Sequence, residues 1–191
     1  MIFERAGRHN TDETVRIALE AARARDIEHL VVASNSGETV RRLLALGTGG
    51  LDVICVTHHV GFRGPGEHDM EAAARQKLLD RGVQVLTTTH ALAGIDRGLR
   101  NAFRGMYPPE IIAEALRFLG QGVKVCVEIG IMALDAGLVP HGRDVIAIGG
   151  HARGADTACV IRPAHSNAVL DNRVMEILCR PLPKLPKPPK S

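Results

Sequence analysis

Aromatic residues are scarce in this sequence, whose 191 residues include four phenylalanines, one tyrosine and no tryptophan. Few rings are therefore available to stack on nucleic-acid bases. Basic residues exceed acidic ones only by 24 to 21, and three lysines lie within the last eight residues. The rest of the chain is nearly neutral and offers no basic face, so we expect no nucleic-acid partner.

Long apolar runs and closely spaced metal-binding residues are also missing. No run approaches the length of a membrane span, and charges at Glu4, Arg5 and Arg8 interrupt the start, where a signal peptide would have an apolar core. The four cysteines show no C-x-x-C spacing, and neither H-x-H nor H-E-x-x-H occurs. We expect a cytoplasmic protein with buried free thiols, no metal site and no membrane partner.

The stretch from Leu30 to Leu44, LVVASNSGETVRRLL, predicts a buried strand, a polar turn and an amphipathic helix. The turn consists of Ser34, Asn35, Ser36, Gly37, Glu38 and Thr39. Unpaired backbone N–H groups coincide with the positive end of the helix dipole at such a turn, which makes it a candidate site for phosphate or carboxylate. Simple N-capping of the helix explains the same residues.

The strand, polar end and helix pattern recurs along the chain. Further strands are predicted at 52–56, 83–86, 145–148 and 157–161, and helices at 11–25, 70–80, 110–119 and 168–179. In the run that begins at Val123, β-branched residues occupy every second position, as in a strand. The length of the run nevertheless favours a buried helix that ends at Gly137. This order predicts an α/β fold with a mostly parallel sheet, in which the short link between 148 and 157 makes the final strand pair antiparallel. Residues 1–179 are expected to form one domain, and residues 180–191 a flexible tail rich in proline and lysine.

Five segments carry a family resemblance: VVASNSGET, DVICVTHHVGF, VLTTTHALAGIDR, PPEIIAEALRFLGQGVKVCVEIGIMALDAGLVP and DVIAIGGHARGADTACVIRPAHS. The chain resembles the free-standing, largely uncharacterised proteins similar to the C-terminal α/β domain of pyruvate kinase. The resemblance implies a three-layer α/β/α sandwich with a five-stranded, mostly parallel sheet whose last strand is antiparallel. In the kinases, the turn after the first strand of this domain holds a phosphate of a sugar bisphosphate. Here Ser34, Ser36, Gly37 and Thr39 match it, whereas the Glu38 carboxylate would repel a phosphate unless it turned to solvent.

Polar residues follow each predicted strand, and ligands of open α/β sheets bind beyond the carboxyl ends of the strands. Besides the turn, the candidate ligand-binding residues are Thr57, His58, Gly61, Phe62, Thr89, His90, Arg97, Gly149, Gly150, Asp156 and Thr157. His58, His59 and His90 are candidate acids or bases, although histidines at such positions also stabilise loops through backbone carbonyls.

Three functions are compatible with these residues. The first is a binding or sensor protein for a phosphorylated small molecule, such as a nucleotide, flavin mononucleotide or a sugar phosphate. The second is an enzyme that acts on such a molecule through one of the three histidines. The third is a regulatory or assembly module whose proline-rich tail binds a partner. A pyruvate kinase is not expected, since the barrel that carries its chemistry needs about 250 residues. The ligand, any reaction and homo-oligomer formation stay open.

Overall fold

A seven-stranded sheet crosses the middle of the computed structural model, which describes residues 1–183. The strands are β1 (Ile2–Phe3), β2 (His29–Ala33), β3 (Asp52–Thr57), β4 (Gln84–Thr87), β5 (Val145–Gly149), β6 (Thr157–Arg162) and β7 (Arg173–Pro181). Their order in the sheet is β1-β7-β6-β5-β2-β3-β4. β6 runs antiparallel to both neighbours, and the other pairs are parallel.

Helices cover both faces of this sheet. They are α1 (Thr11–Ala24), α2 (Glu38–Ala45), α3 (Ala72–Leu79), α4 (Ile95–Phe103), α5 (Pro108–Arg117) and α6 (Gln121–Asp135), with 3-10 turns at Arg8–Asn10 and Ser166–Asp171. The core on one face joins α1, α2 and α3 to side chains such as Leu30 and Val32, and the core on the other face joins α6 to Val31 and Ile54. The three-layer prediction is therefore confirmed.

The run after Val123 forms a helix, as its length predicted, despite its strand-like alternation. Nearly every side chain of α6 is buried, because the helix lies on the sheet and also contacts α5. Two glycines permit this close approach. A Cβ atom on Gly122 would lie 2.0 Å from Thr157 Oγ1, and one on Gly130 would lie 2.3 Å from Ile161 Cδ1.

The end of the chain differs from the prediction. The helix expected at 168–179 is wrong, since a 3-10 turn is followed there by β7, which pairs with β6 through two register shifts. Because β1 pairs with β7, the sheet has seven strands where five were expected. Arg180 and Pro181, assigned to the tail, belong to β7. The rest of the predicted tail, from residue 184 onward, lies outside the described residues.

A second difference is α4 (Ile95–Phe103), a helix that was not among those predicted from the sequence. All four cysteines are free and buried, as expected. Among residues 1–183, no helix combines the length and the apolar character needed to cross a membrane.

Candidate functional site

A cleft of about 760 Å³ opens at the carboxyl ends of β2, β3 and β5. The chain builds β3 and β4 on one side of β2 and then places β5 on the other side, so strand order reverses between β2 and β5. Such a reversal opens a crevice between the loops that follow the two strands. The cleft therefore lies at the edge of the sheet where the sequence predicted a ligand site.

Most of the predicted ligand-binding residues line this cleft. They are Ser34, Asn35, Ser36, Glu38, Thr39, Thr57, His58, Phe62, His90, Arg97 and Gly150. The remaining candidates are not part of its lining: Gly37, Gly61, Thr89, Gly149, Asp156 and Thr157.

The turn between β2 and α2 forms one wall. Ser34 and Thr39 are buried, whereas Ser36 is exposed. The first N–H groups of α2 have no partner within the helix, so they are available to an anion. Glu38 opens the helix, but its carboxylate forms salt bridges with Arg41 and Arg42. These two arginines offset the negative charge that was expected to repel a phosphate.

Gly37 precedes α2 and does not face the cleft. Its φ of +78° lies in the left-handed region, where residues with a side chain are strained. A Cβ atom here would lie 3.1 Å from Leu78 Cδ1 and 3.8 Å from Met70 Cε. Gly37 is therefore required by the turn and by the packing of α3.

A hydrogen-bonded chain fixes His58 at the end of β3. Its backbone N–H donates to Asn35 Oδ1 at 2.9 Å, so the Asn35 amide nitrogen is the donor to His58 Nε2 at 3.0 Å. The ring proton then resides on Nδ1, which lies 2.6 Å from Asp69 Oδ2. The Asp69 side chain is only 2% exposed and also forms a salt bridge with Arg63. Burial lowers the pKa of His58, while the hydrogen bond to Asp69 opposes that shift.

Aromatic rings gather around His58. Its ring stacks on Phe62 with centroids 3.7 Å apart, and the His90 ring lies 5.3 Å away. The Arg97 guanidinium lies 5.4 Å from the centre of the Phe62 ring, within range of a cation–π contact. Burial lowers the pKa of His90 to about 4, so His90 is neutral at physiological pH. These groups provide a surface on which a planar ring could stack.

Two further cleft residues, Lys124 and Glu128, were missed in the sequence. Their charged atoms lie 2.5 Å apart on α6, and each side chain is 6% exposed. Burial lowers the pKa of Lys124, an effect that the Glu128 charge opposes. Their signal was available, because two opposite charges four residues apart interrupt an otherwise apolar run and therefore need partners.

Positive charge predominates around the cleft, where seven basic and three acidic side chains contribute to the lining. Arg42, Arg63, Arg117 and Lys124 have carboxylate partners. Within residues 1–183, no salt bridge involves Arg8, Arg97 or Arg153. This imbalance favours an anionic ligand.

The other candidates have structural contacts. Asp156 is 1% exposed and accepts hydrogen bonds from Gly7 N and from the Thr157 hydroxyl. Gly149 lies against the start of α6, since a Cβ atom there would be 3.0 Å from Gly122 O. The Gly61 N–H donates to Glu67 O and thereby closes the loop after β3.

Two candidates lie at the margin of the cleft. His59 keeps its Nδ1 2.7 Å from Val60 O, and its ring lies 5.5 Å from that of His90. Thr89 is exposed, next to His90. Among the described residues, no group of three or more histidines, cysteines and acidic residues is arranged to hold a metal ion.

The cleft belongs to an α/β sandwich and lies where strand order reverses. The family model "Pyruvate kinase, alpha/beta domain" matches residues 12–161, and the chain belongs to this family. The recognition made from the sequence segments is thereby confirmed.

Solved structures of pyruvate kinase from Cryptosporidium parvum are also similar to this chain. One is 15% identical with a TM-score of 0.43, and the match covers 81% of this chain and 23% of that one. A structure in complex with ADP has the same identity and TM-score, with 81% and 24% covered. A third is 14% identical with a TM-score of 0.38, with 73% and 20% covered. The chain thus spans about a quarter or less of these kinases.

Proposed function

We propose that this protein binds a phosphorylated small molecule, namely a nucleotide, flavin mononucleotide or a sugar phosphate, in the cleft at the carboxyl ends of the strands. One observation carries the proposal: Arg8, Arg97 and Arg153, none in a salt bridge within the described chain, line the same cleft as the start of α2. Unpaired guanidinium groups and helix N–H groups are the donors that phosphate oxygens prefer.

The rest of the cleft suits the non-phosphate part of such a ligand. Phe62, His58 and His90 offer ring faces next to the turn, since Asn35 of the turn itself contacts His58. A nucleobase or an isoalloxazine ring could stack there, while the phosphate occupies the turn. A sugar phosphate would instead form hydrogen bonds with polar groups at the bottom of the cleft.

Catalysis is a second candidate function, favoured by the contact between His58 and Asp69. A carboxylate on Nδ1 orients the ring and stabilises its protonated form, as in many acid–base pairs. In this structure Nε2 accepts a hydrogen bond from Asn35, so a ligand would have to displace that amide before His58 could accept a proton. A regulatory or assembly module, the third possibility, would need no ligand in the cleft.

Paired ligands test the proposal. Calorimetry would compare flavin mononucleotide with riboflavin, AMP with adenosine, and glucose 6-phosphate with glucose. We expect the phosphorylated member of at least one pair to bind and its unphosphorylated partner to bind at least tenfold more weakly. A charge-assisted hydrogen bond contributes roughly 1.5–3 kcal/mol, so Arg153→Ala should weaken binding by about 10- to 150-fold.

Arg143→Ala serves as the matched control, because Arg143 is exposed and lies outside the cleft lining. Its affinity should equal that of the parent protein. Equal binding of both members of every pair would contradict the proposal. So would the absence of binding in all pairs together with native mass spectra of freshly purified protein that show no retained ligand.

A further inference from the structure

Lys124 is a buried ammonium group with one partner at the floor of the cleft. Its Nζ donates to Glu128 Oε2 at 2.5 Å, and that is its only hydrogen bond within the described residues. An ammonium group has three N–H donors, so two remain for a group that enters the cleft. The partner is fixed, because Glu128 Oε1 also accepts a hydrogen bond from Leu92 N at 3.0 Å.

The surroundings of this pair make it easier for the Lys124 ammonium group to lose a proton than it is in water. The neighbouring cleft residues Val125, Ile129 and Met132 are apolar, and burial lowers the pKa of Lys124. The positive charges of Arg117 and Arg97 lower it further, although the Glu128 carboxylate has the opposite effect. Glu128 is also placed to receive the proton that Lys124 must lose, and a lysine that has lost its proton is a nucleophile.

We propose that Lys124 forms an imine with the carbonyl carbon of a phosphorylated aldehyde or ketone whose phosphate occupies the turn before α2. This inference rests on the proposed function, and it narrows the ligand to a phosphate ester that carries a carbonyl group. The cleft is large enough, at about 760 Å³, and it contains both the turn and Lys124.

The step balances within this pair of residues. Lys124 Nζ passes a proton to Glu128 Oε2, and its lone pair forms a bond to the carbonyl carbon while the π electrons move to oxygen. A proton then shifts from nitrogen to that oxygen, which gives a neutral carbinolamine. Glu128 returns its proton to the hydroxyl group, water leaves, and the nitrogen lone pair forms the double bond. The products are a protonated imine beside the Glu128 carboxylate and one water molecule.

Reductive trapping tests this inference. The protein would be incubated with pyridoxal 5′-phosphate or dihydroxyacetone phosphate, reduced with cyanoborohydride, and mapped by peptide mass spectrometry. Pyridoxal and dihydroxyacetone serve as probes without phosphate. The chain contains an internal control, Lys77, which is exposed on α3, while the other three lysines lie outside the described residues.

We expect the phosphorylated probes to label Lys124 at least tenfold faster than Lys77, and at least tenfold faster than the probes without phosphate do. Inorganic phosphate should slow the labelling of Lys124 and leave that of Lys77 unchanged. Glu128→Gln should slow labelling at Lys124, whereas Lys124→Arg should abolish the label at that position. The competition by phosphate uses the parent protein, so the test does not depend on the folding of either variant.

Labelling of Lys77 as fast as Lys124, or no label at Lys124, would overturn the inference. Calorimetry with the paired ligands distinguishes this failure from a failure of the proposed function. If phosphate-dependent binding occurs without a label at Lys124, the imine is wrong and the phosphate site stands. If neither occurs and native mass spectra show no retained ligand, both are wrong.

Discussion

Lys124 Nζ lies 2.5 Å from Glu128 Oε2, one helical turn apart on α6, in a helix whose other residues are almost all apolar. Removing two charges from water is costly, and a buried pair recovers that cost only through close contact and further hydrogen bonds. Glu128 has such a bond, whereas Lys124 has donors to spare. A pair of this kind at the floor of a cleft is costly to break and can also contact a ligand.

Breaking the pair should destabilise the protein strongly. Lys124→Met leaves the Glu128 carboxylate buried without a counter-charge, and we expect the free energy of unfolding to fall by about 3–5 kcal/mol. The double variant Lys124→Met/Glu128→Gln removes the charge but keeps an acceptor for Leu92 N, so it should recover most of that loss. Urea denaturation at pH 7.5 measures both. A double variant that is less stable than Lys124→Met, and not more stable, would show that the two residues are not coupled.

The packing of Gly37 gives a second prediction, with Gly47 as its control. Both glycines have left-handed φ values, +78° and +74°, but only a Cβ atom on Gly37 would meet neighbours. Gly37→Ala should therefore cost about 1 kcal/mol more than Gly47→Ala, because Leu78 has to shift. Because Gly37 faces α3, the folded Gly37→Ala variant should keep its affinity for phosphate. Equal losses of stability in the two variants would contradict this assignment.

Acid should destabilise the fold partly through His90. The pKa of His90 is about 4 in the folded protein, against an ordinary value of about 6.5, so below pH 6.5 the unfolded chain binds the extra proton. The contribution of neutral His90 to the free energy of unfolding is therefore fully present above pH 6.5 and is lost as the pH drops toward 4. At pH 5 the loss from this residue is about 2 kcal/mol. The His90→Gln variant should therefore lose about 2 kcal/mol less than the parent protein between pH 7.5 and pH 5. Denaturation of parent and variant at pH 7.5 and 5 measures the difference, and parallel losses would refute it.

Phosphoryl transfer between phosphoenolpyruvate and ADP is not expected from this chain. The barrel that carries that chemistry needs about 250 residues, whereas this sequence has 191. A coupled assay should show no ATP above the background without protein. ATP formation in proportion to the protein concentration would overturn the expectation.

The elements predicted correctly from the sequence are those in which the spacing of apolar residues matches the positions that are buried. The apolar run before Ser34 indicated a strand covered on both faces, and β2 is one. Strand β7 was missed because Val174, Ile177 and Leu178 are spaced as on a helix. Pairing with β6, which needs two register shifts, decides its conformation instead. No local pattern encodes such a contact between distant segments.

Glycine content explains why no helix was predicted at α4. Gly94, Gly98 and Gly105 lie in or beside this helix, and no residue of it is buried. A segment that contributes so little to the core has a weak periodic signal, since periodicity reflects burial.

The candidate site was predicted in outline, because residues at the carboxyl ends of parallel strands share one edge of the sheet. Which of them face the cleft depends on contacts far apart in sequence. Asp156, for example, accepts a hydrogen bond from Gly7 N, 149 positions away, and is thereby engaged outside the cleft. Lys124 and Glu128 were missed because the run around them was assessed for its apolar character alone.

The most direct test of the phosphate site is a titration with inorganic phosphate, followed through the amide resonances of ¹⁵N-labelled protein. The account predicts saturable shifts at Ser36, Glu38 and Thr39 and at Arg153, which Arg153→Ala weakens and Arg143→Ala leaves unchanged. Absence of saturable shifts at the turn, or shifts confined to residues outside the cleft, would contradict it.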